Sequence, residues 1–177
     1  MDDWEQLGFL KNMYDGKIPK TVFQYMALSS IFSQTLDAIG SGTSMLVQER
    51  SIDSAFHVFA RANVEPGERL DMIEYAYNNM KRVLNHTRTH RIYLRAPPVI
   101  CYARTRGRSR NSESLISQEY LTCINDHYET WLVTRAHQLE ESITLIDATR
   151  DIDAITNDVI HAIESLNKKP TPKRLIF

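Results

Sequence analysis

The sequence has little of what marks several specialised classes of protein. Two of its 177 residues are cysteines, and Cys101 and Cys123 form neither a CxxC pair nor a spacing typical of metal ligands. We therefore predict two buried, reduced thiols rather than a disulfide. Of the six histidines, His86 and His90 could share a helical face, but we expect the helix to end between them, so the sequence predicts no metal site.

Long apolar runs and an excess of charge are also absent. No apolar stretch approaches the roughly 20 residues that a membrane-spanning helix needs, and the acidic start from Met1 to Trp4 is unlike a signal or transit peptide. The 21 basic residues nearly balance the 22 acidic ones, which gives a formal net charge of −1. The whole protein is therefore not a polyanion binder. We expect an intracellular protein of a reducing compartment, the cytoplasm or nucleus, with no membrane partner.

Positive charge is concentrated in one stretch, Arg104-Thr-Arg-Gly-Arg-Ser-Arg-Asn-Ser-Glu113. Its alternating arginines repel one another unless an anion lies among them, and planar guanidinium groups suit phosphate oxygens. Alternate positions fall on opposite faces of a helix, so we interpret the stretch as a strip that wraps its ligand, such as a phosphate lid. A solvated arginine run and a nucleic-acid-binding patch are the alternatives.

The spacing of apolar residues predicts helices that alternate with short strands. The predicted strands are 44–49, 91–95 and 142–147. The predicted helices are 4–14, 21–39, 68–86, 116–139 and 151–166, with one more after Ser51 through Phe56 and Phe59 and another running into the arginine strip. Such alternation indicates the α/β class, with a parallel sheet flanked by helices.

Two predicted helices have apolar residues that we expect to be buried. In 21–39 and 68–86 these residues are Val22, Phe23, Met26, Ala27, Ile31, Leu36, Ile73, Ala76, Tyr77, Met80 and Val83. The length suits one domain, which we place at 1–166. The basic segment 167–177 is predicted to be a flexible tail, with a nuclear-import patch as the alternative.

Four charged residues lie at predicted strand ends, where open parallel sheets place their ligand sites. They are Glu49, Arg50, Arg95 and Asp147. We therefore expect a ligand-binding α/β architecture.

The order of motifs along the chain is specific. Phe23-Gln24 lies on a long helix, Glu49-Arg50-Ser51 ends a predicted strand, and Tyr93-Leu-Arg95 leads through prolines and a tyrosine into the arginine strip. A helix with Tyr120, Tyr128 and Trp131 follows. In this order, from Trp4 to Asp147, the motifs closely resemble the deoxynucleoside kinase family, which includes mitochondrial thymidine kinase, deoxycytidine kinase and the insect multisubstrate enzyme. The resemblance implies a P-loop-kinase-like fold.

The resemblance implies a nucleobase pocket. Gln24 matches the glutamine that reads the base with paired hydrogen bonds, and Phe59 matches the aromatic residue that stacks on the base. The remaining pocket residues would be Trp4, Phe23, Ala27 and Ile31. Ala55 stands where deoxycytidine-preferring enzymes carry an aspartate, so the resemblance favours the thymidine-type or broad-pyrimidine branch.

The resemblance also implies sites for the sugar and the phosphates. Tyr14 and Glu113 match the groups that hold the 3′-hydroxyl, Arg50 the arginine beside the 5′-hydroxyl, and Glu49 the acid near Mg²⁺. The arginines that match the lid over the ATP phosphates are Arg104, Arg106, Arg108 and Arg110. The implied activity is ATP-dependent 5′-phosphorylation of a deoxynucleoside in nucleotide salvage, by a homodimer that packs through long helices.

The same residues have plainer interpretations. Trp4, Phe23 and Phe59 could be ordinary core residues, and Glu49 with Arg50 could be a structural ion pair at a strand end.

One family feature does not occur within the 177 residues. The family begins with a strand, a GxxxxGK[ST] phosphate loop and a helix, and its catalytic glutamate follows the next strand; neither motif is found. We therefore expect a domain without its N-terminal strand and phosphate loop, inactive or poorly active by itself. Three explanations stay open: a fragment of a kinase, a non-catalytic nucleoside-binding or regulatory paralogue, and a nucleic-acid-binding protein that uses the arginine strip.

Overall fold

The fold is organised around two parallel strands. A computed structural model describes residues 7–42, 44–65, 67, 69–85, 87–108, 116–134 and 142–167. Strand β1, His90–Arg95, pairs in parallel with β2, Ser142–Asp147, so that His90 lies opposite Ser142 and Arg95 opposite Asp147. The predicted α/β class with a parallel sheet flanked by helices is confirmed.

Seven helices surround this sheet in the part of the chain that the structure describes. Those with regular geometry are α1 Phe9–Tyr14, α2 Lys20–Gly40, α4 Leu70–Val83, α5 Pro98–Arg108, α6 Gln118–Tyr128 and α7 Ile152–Asn167. Helix α3 spans residues 52–63 and widens into π-helical turns at Ala55–Ala60. A second π-helical segment, Glu129–Thr134, continues α6. None of the described helices has the length and apolar composition needed to span a bilayer.

The strand predicted at 44–49 was wrong. These residues form no strand and pair with neither strand of the described sheet. The Thr35 hydroxyl instead donates a hydrogen bond of 3.0 Å to Gln48 Oε1, which attaches the segment to α2. An apolar run supplies the propensity for a strand, whereas the strand itself needs a neighbouring backbone to bond with.

The predicted burial of α2 and α4 was right for one face and wrong for another. Phe23, Ala27 and Ile31 are buried, whereas 47% of Val22 and 37% of Leu36 are exposed. In α4, Ile73 and Tyr77 are buried but 57% of Val83 is exposed. Each residue turns a helix by 100°, which places these exposed positions on a different face from the buried stripe.

Cys101 and Cys123 are free, as predicted, but half-buried rather than buried.

Two apolar clusters hold the helices together. The first joins α2, α3 and α4 through Leu28, Phe56 and Ile73, all of which are almost fully buried. The second joins α3 to the π-helical end of α6, with Val58 against Trp131 and Leu132.

Three predicted segments lie largely outside the described residues. They are the N-terminal part of the predicted helix 4–14, the end of the predicted helix 116–139 and the predicted basic tail.

A buried carboxylate connects α3, α4 and β1. Asp53 in α3 accepts hydrogen bonds from Tyr77 Oη at 2.7 Å, Lys81 Nζ at 2.7 Å and Arg91 Nη2 at 2.6 Å. The side chains of Asp53 and Arg91 are only 5% and 8% exposed. Burial alone would raise the pKa of Asp53, but the hydrogen bond and charge of Lys81 and the charge of Arg91 lower it below its ordinary value.

We expect Asp53→Asn to lower the free energy of unfolding by about 3–5 kcal/mol at pH 7, because it leaves the buried Arg91 charge uncompensated. A lowered pKa contributes stability above the ordinary value of 3.8, and this contribution disappears as the pH falls through the lowered folded value. The difference between wild type and variant should therefore shrink below about pH 4. Urea denaturation from pH 7 to pH 3 measures it.

Asp71→Asn is the matched control, because Asp71, in α4, forms an exposed ion pair with Arg69 at the start of that helix. We expect this control to change stability little. Equal losses in the two variants, or a wild-type advantage that persists unchanged at pH 3, would contradict a structural role for the Asp53 network.

Candidate functional site

A strained turn begins the candidate site. Arg50 is the one non-glycine residue of the described chain with a positive φ, at +66°, a conformation that costs about 1 kcal/mol or more for a side-chain-bearing residue. The next residue, Ser51, caps α3: its Oγ accepts from the Ser54 amide at 3.2 Å, and Ser54 Oγ accepts from the Ser51 amide at 2.9 Å. This reciprocal cap holds the backbone immediately after Arg50.

The Arg50 side chain has polar groups to offer a ligand. Its guanidinium lies over the Phe59 ring, 4.4 Å from the ring centroid, and its Nε lies 3.8 Å from Glu49 Oε1. It makes no hydrogen bond to any described residue. The Glu49 side chain is 73% exposed. A loose pair at this distance and exposure contributes little to stability, so the interpretation of Glu49 and Arg50 as a structural ion pair explains little of the geometry.

Gln24 is a buried amide in need of partners. Only 5% of its surface is exposed, yet within the described part of the chain its side chain forms no hydrogen bond. Its amide atoms are not among the side-chain atoms that are both fully buried and unpaired, so the amide remains accessible. The Gln24 amide is therefore suited to pair with a polar ligand.

The other predicted pocket residues on α2 and α3 are mostly buried and apolar. Ile31 and Ala55 belong to one packed cluster, while Phe23 and Ala27 are buried on the same side of α2. Phe59 is half-buried, and the Tyr128 ring meets its ring edge-on at a centroid distance of 6.3 Å. The core interpretation of Phe23 and the pocket interpretation both agree with this burial. Trp4 lies outside the described residues.

A cavity of about 220 Å³ lies beside α1 and α2. Its lining residues are Met13, Tyr14, Lys20, Asn63, Ile116, Ser117 and Tyr120. Tyr14, predicted to hold a sugar hydroxyl, is thus placed in a concave site. Glu113, its predicted companion, lies outside the described residues.

The arginine strip is helical in its described part. Arg104, Arg106 and Arg108 belong to α5, and Arg110 lies outside the described residues. Arg104 Nη1 donates to the Ala148 carbonyl at 2.7 Å, whereas Arg106 Nη2 donates to the Ile116 carbonyl at 3.1 Å. Successive arginines therefore reach opposite sides of α5, as their alternate spacing requires. The exposed Arg108 ends the helix.

Charged groups do meet at the carboxyl ends of the strands. Arg95 binds Glu129 through two hydrogen bonds of 2.9 and 2.7 Å, and Tyr93 donates to the same carboxylate at 3.1 Å. Burial and the neighbouring carboxylate raise the pKa of Tyr93. The Asp147 carboxylate accepts from the Thr149 amide and hydroxyl, which lower its pKa. Arg104 reaches this edge through its bond to Ala148.

Sequence reasoning did not identify the polar pairs that organise the site. Asn63 Nδ2 donates to the Phe59 carbonyl at 2.8 Å and to Tyr120 Oη at 3.0 Å, and nothing in a single asparagine suggests this. Arg91 gave a signal in the sequence, because a charged residue at the start of a strand interrupts the apolar pattern.

In the described chain, no group of three or more His, Cys, Asp or Glu residues is placed to hold a metal ion.

Comparison with known proteins gives a consistent set of relatives. The chain is 26% identical over 160 residues to the Fowlpox virus protein named "Probable deoxycytidine kinase", covering 88% of this chain and 68% of the relative. It is 31% identical over 121 residues to the thymidine kinase of Ictalurid herpesvirus 1, covering 66% and 50%. It is 25% identical over 150 residues to human mitochondrial thymidine kinase 2, covering 74% and 55%.

Solved structures show the same fold. Deoxyadenosine kinase from M. mycoides with bound dCTP superposes with a TM-score of 0.69 at 21% identity, covering 88% of this chain and 79% of that one. The same enzyme with dCMP and dCDP gives 0.68 at 19% identity, covering 89% and 80%. The sequence model of the family described as deoxynucleoside kinase matches residues 1–168. The resemblance seen in the motifs is therefore confirmed, and the chain belongs to the deoxynucleoside kinase family.

Proposed function

We propose that this protein binds a deoxynucleoside and that the reaction of its site is transfer of the ATP γ-phosphate to the 5′-hydroxyl, a step of nucleotide salvage. The buried Gln24 amide, which has no hydrogen-bond partner in the described chain, carries this proposal. A side-chain amide both donates and accepts, so it can pair with the polar edge of a nucleobase. Family membership supports a nucleobase as that ligand.

The surroundings of Gln24 favour thymidine or another pyrimidine deoxynucleoside. Ala27, Ile31 and Ala55 supply buried apolar surface and no charge to interact with an exocyclic amino group. The thymine edge presents an N–H donor beside a carbonyl acceptor, which one amide can satisfy. Phe59 would stack on the base. Because Arg50 now lies over the Phe59 ring, we propose that the guanidinium moves toward the 5′-hydroxyl when the base occupies that face.

The remaining charged residues suit phosphoryl transfer. Glu49 is exposed and only loosely paired, so its oxygens fit Mg²⁺, which takes one or two carboxylates together with phosphates and water. When bound, Mg²⁺ offsets phosphate charge. Arg50 and the lid arginines would stabilise the transferring group; the latter are Arg104, Arg106, Arg108 and Arg110.

We further propose a homodimer that packs through α2 and α4. Each helix has an exposed apolar stripe, formed by Val22, Tyr25 and Leu36 on α2 and by Met72, Tyr75 and Val83 on α4. The two helices are neighbours in the fold. Large apolar patches on a surface commonly mark an interface.

We also propose that the protein works in a reducing compartment, which the free thiols of Cys101 and Cys123 support.

Gln24→Ala should weaken thymidine binding at least about tenfold, because it removes two hydrogen bonds to a buried base. Isothermal titration calorimetry measures the dissociation constant. Asn157→Ala, which truncates an exposed amide on α7, should leave it unchanged. Unaltered thymidine affinity in Gln24→Ala would contradict the proposed pocket.

The purified 177-residue chain should phosphorylate thymidine slowly or not at all with ATP and Mg²⁺. Its sequence contains no GxxxxGK[ST] loop, and such reactions depend on positioning and charge stabilisation of the phosphates. Product formation from labelled thymidine measures the rate, with human mitochondrial thymidine kinase as the positive control. Robust turnover would contradict the prediction.

Salt-dependent DNA binding that is abolished by replacing Arg106 and Arg108 would instead favour the nucleic-acid-binding alternative.

Tyr75→Arg should convert the proposed dimer to a monomer, because it places a charge in the apolar stripe; the Tyr75 side chain is 72% exposed in the single chain. Sedimentation velocity measures the change. Val99→Arg, at an exposed apolar position on α5, is the control and should keep the wild-type state. A monomeric wild-type protein would rule out the homodimer.

A further inference from the structure

The orientation of one amide determines the hydrogen bonding in the 220 Å³ cavity. The Asn63 side chain lies 2.8 Å from the Phe59 carbonyl oxygen. A carbonyl oxygen can only accept, so the atom that faces it must be the amide nitrogen. This contact alone therefore assigns the orientation of the Asn63 amide.

The same nitrogen then fixes the Tyr120 hydroxyl. Asn63 Nδ2 has two hydrogens: one is directed at Phe59, and the other at Tyr120 Oη, 3.0 Å away. An amide nitrogen does not accept hydrogen bonds. The hydroxyl hydrogen of Tyr120 must therefore point away from Asn63, and within the described chain it has no acceptor.

The cavity is electrostatically suited to an oxygen acceptor. Burial raises the pKa of Tyr120 above its ordinary value, so the hydroxyl keeps its proton at neutral pH. Lys20 lines the same cavity and forms an ion pair with Glu65. A held hydroxyl donor beside an ammonium group favours a ligand atom with lone pairs.

We propose that Asn63 is a positioning residue that makes Tyr120 a hydrogen-bond donor to an oxygen on the sugar of the bound deoxynucleoside. The inference rests on the proposed function, because Tyr14, which the family resemblance matches to a group that holds the 3′-hydroxyl, lines the same cavity. The ligand oxygen is therefore the 3′-oxygen. The Asn63–Tyr120 pair makes the site selective for deoxynucleosides that carry it.

The test compares thymidine with 3′-deoxythymidine, which lacks that oxygen, by calorimetric titration of the full chain. Tyr120→Phe removes the donor and keeps the ring. Its affinity for thymidine should fall about three- to tenfold, the worth of one neutral hydrogen bond. Its affinity for 3′-deoxythymidine should stay within about twofold of wild type. Loss of affinity for both ligands in equal proportion, or for neither, overturns the inference.

Asn63→Asp tests the positioning role. Aspartate has the same shape but only accepts, so it draws the Tyr120 hydrogen toward itself and away from the cavity. Selectivity for thymidine over 3′-deoxythymidine should fall to the Tyr120→Phe level. Asn78→Asp, the same change at an exposed position on α4, should keep wild-type selectivity. Wild-type selectivity in Asn63→Asp overturns the role assigned to Asn63.

Failure of the proposed function gives a different result. If the wild-type chain binds neither ligand, both the proposed function and this inference are overturned. If it binds thymidine through Gln24 but Tyr120→Phe keeps full selectivity, the inference alone is overturned. Should Asn63→Asp unfold, the Tyr120→Phe titrations still decide between these outcomes.

Discussion

The buried carboxylate of Asp53 is the interaction on which the rest of the structure depends. It joins the start of α3 to α4 through Lys81 and Tyr77 and to the sheet through Arg91. Burying charges is costly unless each is paired, so these elements hold their relative positions closely. The reciprocal Ser51–Ser54 cap follows directly from the strained Arg50 turn. The network therefore supports the backbone that presents the candidate site.

The candidate site combines a rigid part with an uncommitted part. The rigid part is the packed wall of α2 and α3, where Ile31 and Ala55 share one apolar cluster. The uncommitted part consists of polar groups whose hydrogen-bonding capacity the described chain leaves unused, chiefly Gln24 and Arg50. Such a division is what a binding site requires, because a preorganised wall reduces the ordering cost of binding while unused donors and acceptors supply specificity.

The sequence predicted elements well where local pattern decides, and poorly where distant partners decide. Both strands of the sheet and the long helices follow from apolar periodicity, and the family follows from motif order. Segment 44–49 has strand propensity, but pairing depends on a backbone elsewhere, which no local pattern encodes. Val22, Leu36 and Val83 are apolar, yet their exposure depends on what packs beside the helix. Asp53 and Asn63 have partners 38 and 57 positions away, so their roles appear only in three dimensions.

The π-helical turns at Ala55–Ala60 have a consequence for how this chain diverges. A π turn holds about one residue more than an α turn, so deleting one residue there would restore regular geometry and leave the later side chains of α3 on nearly the faces they now occupy. Asn63, which follows the segment, would keep its neighbours. The same applies to Glu129–Thr134, which packs against α3 through Trp131 and Leu132. A deletion of one residue in either segment would therefore spare the packing that follows it, whereas the same deletion in a regular α-helix would turn every later side chain by about 100°.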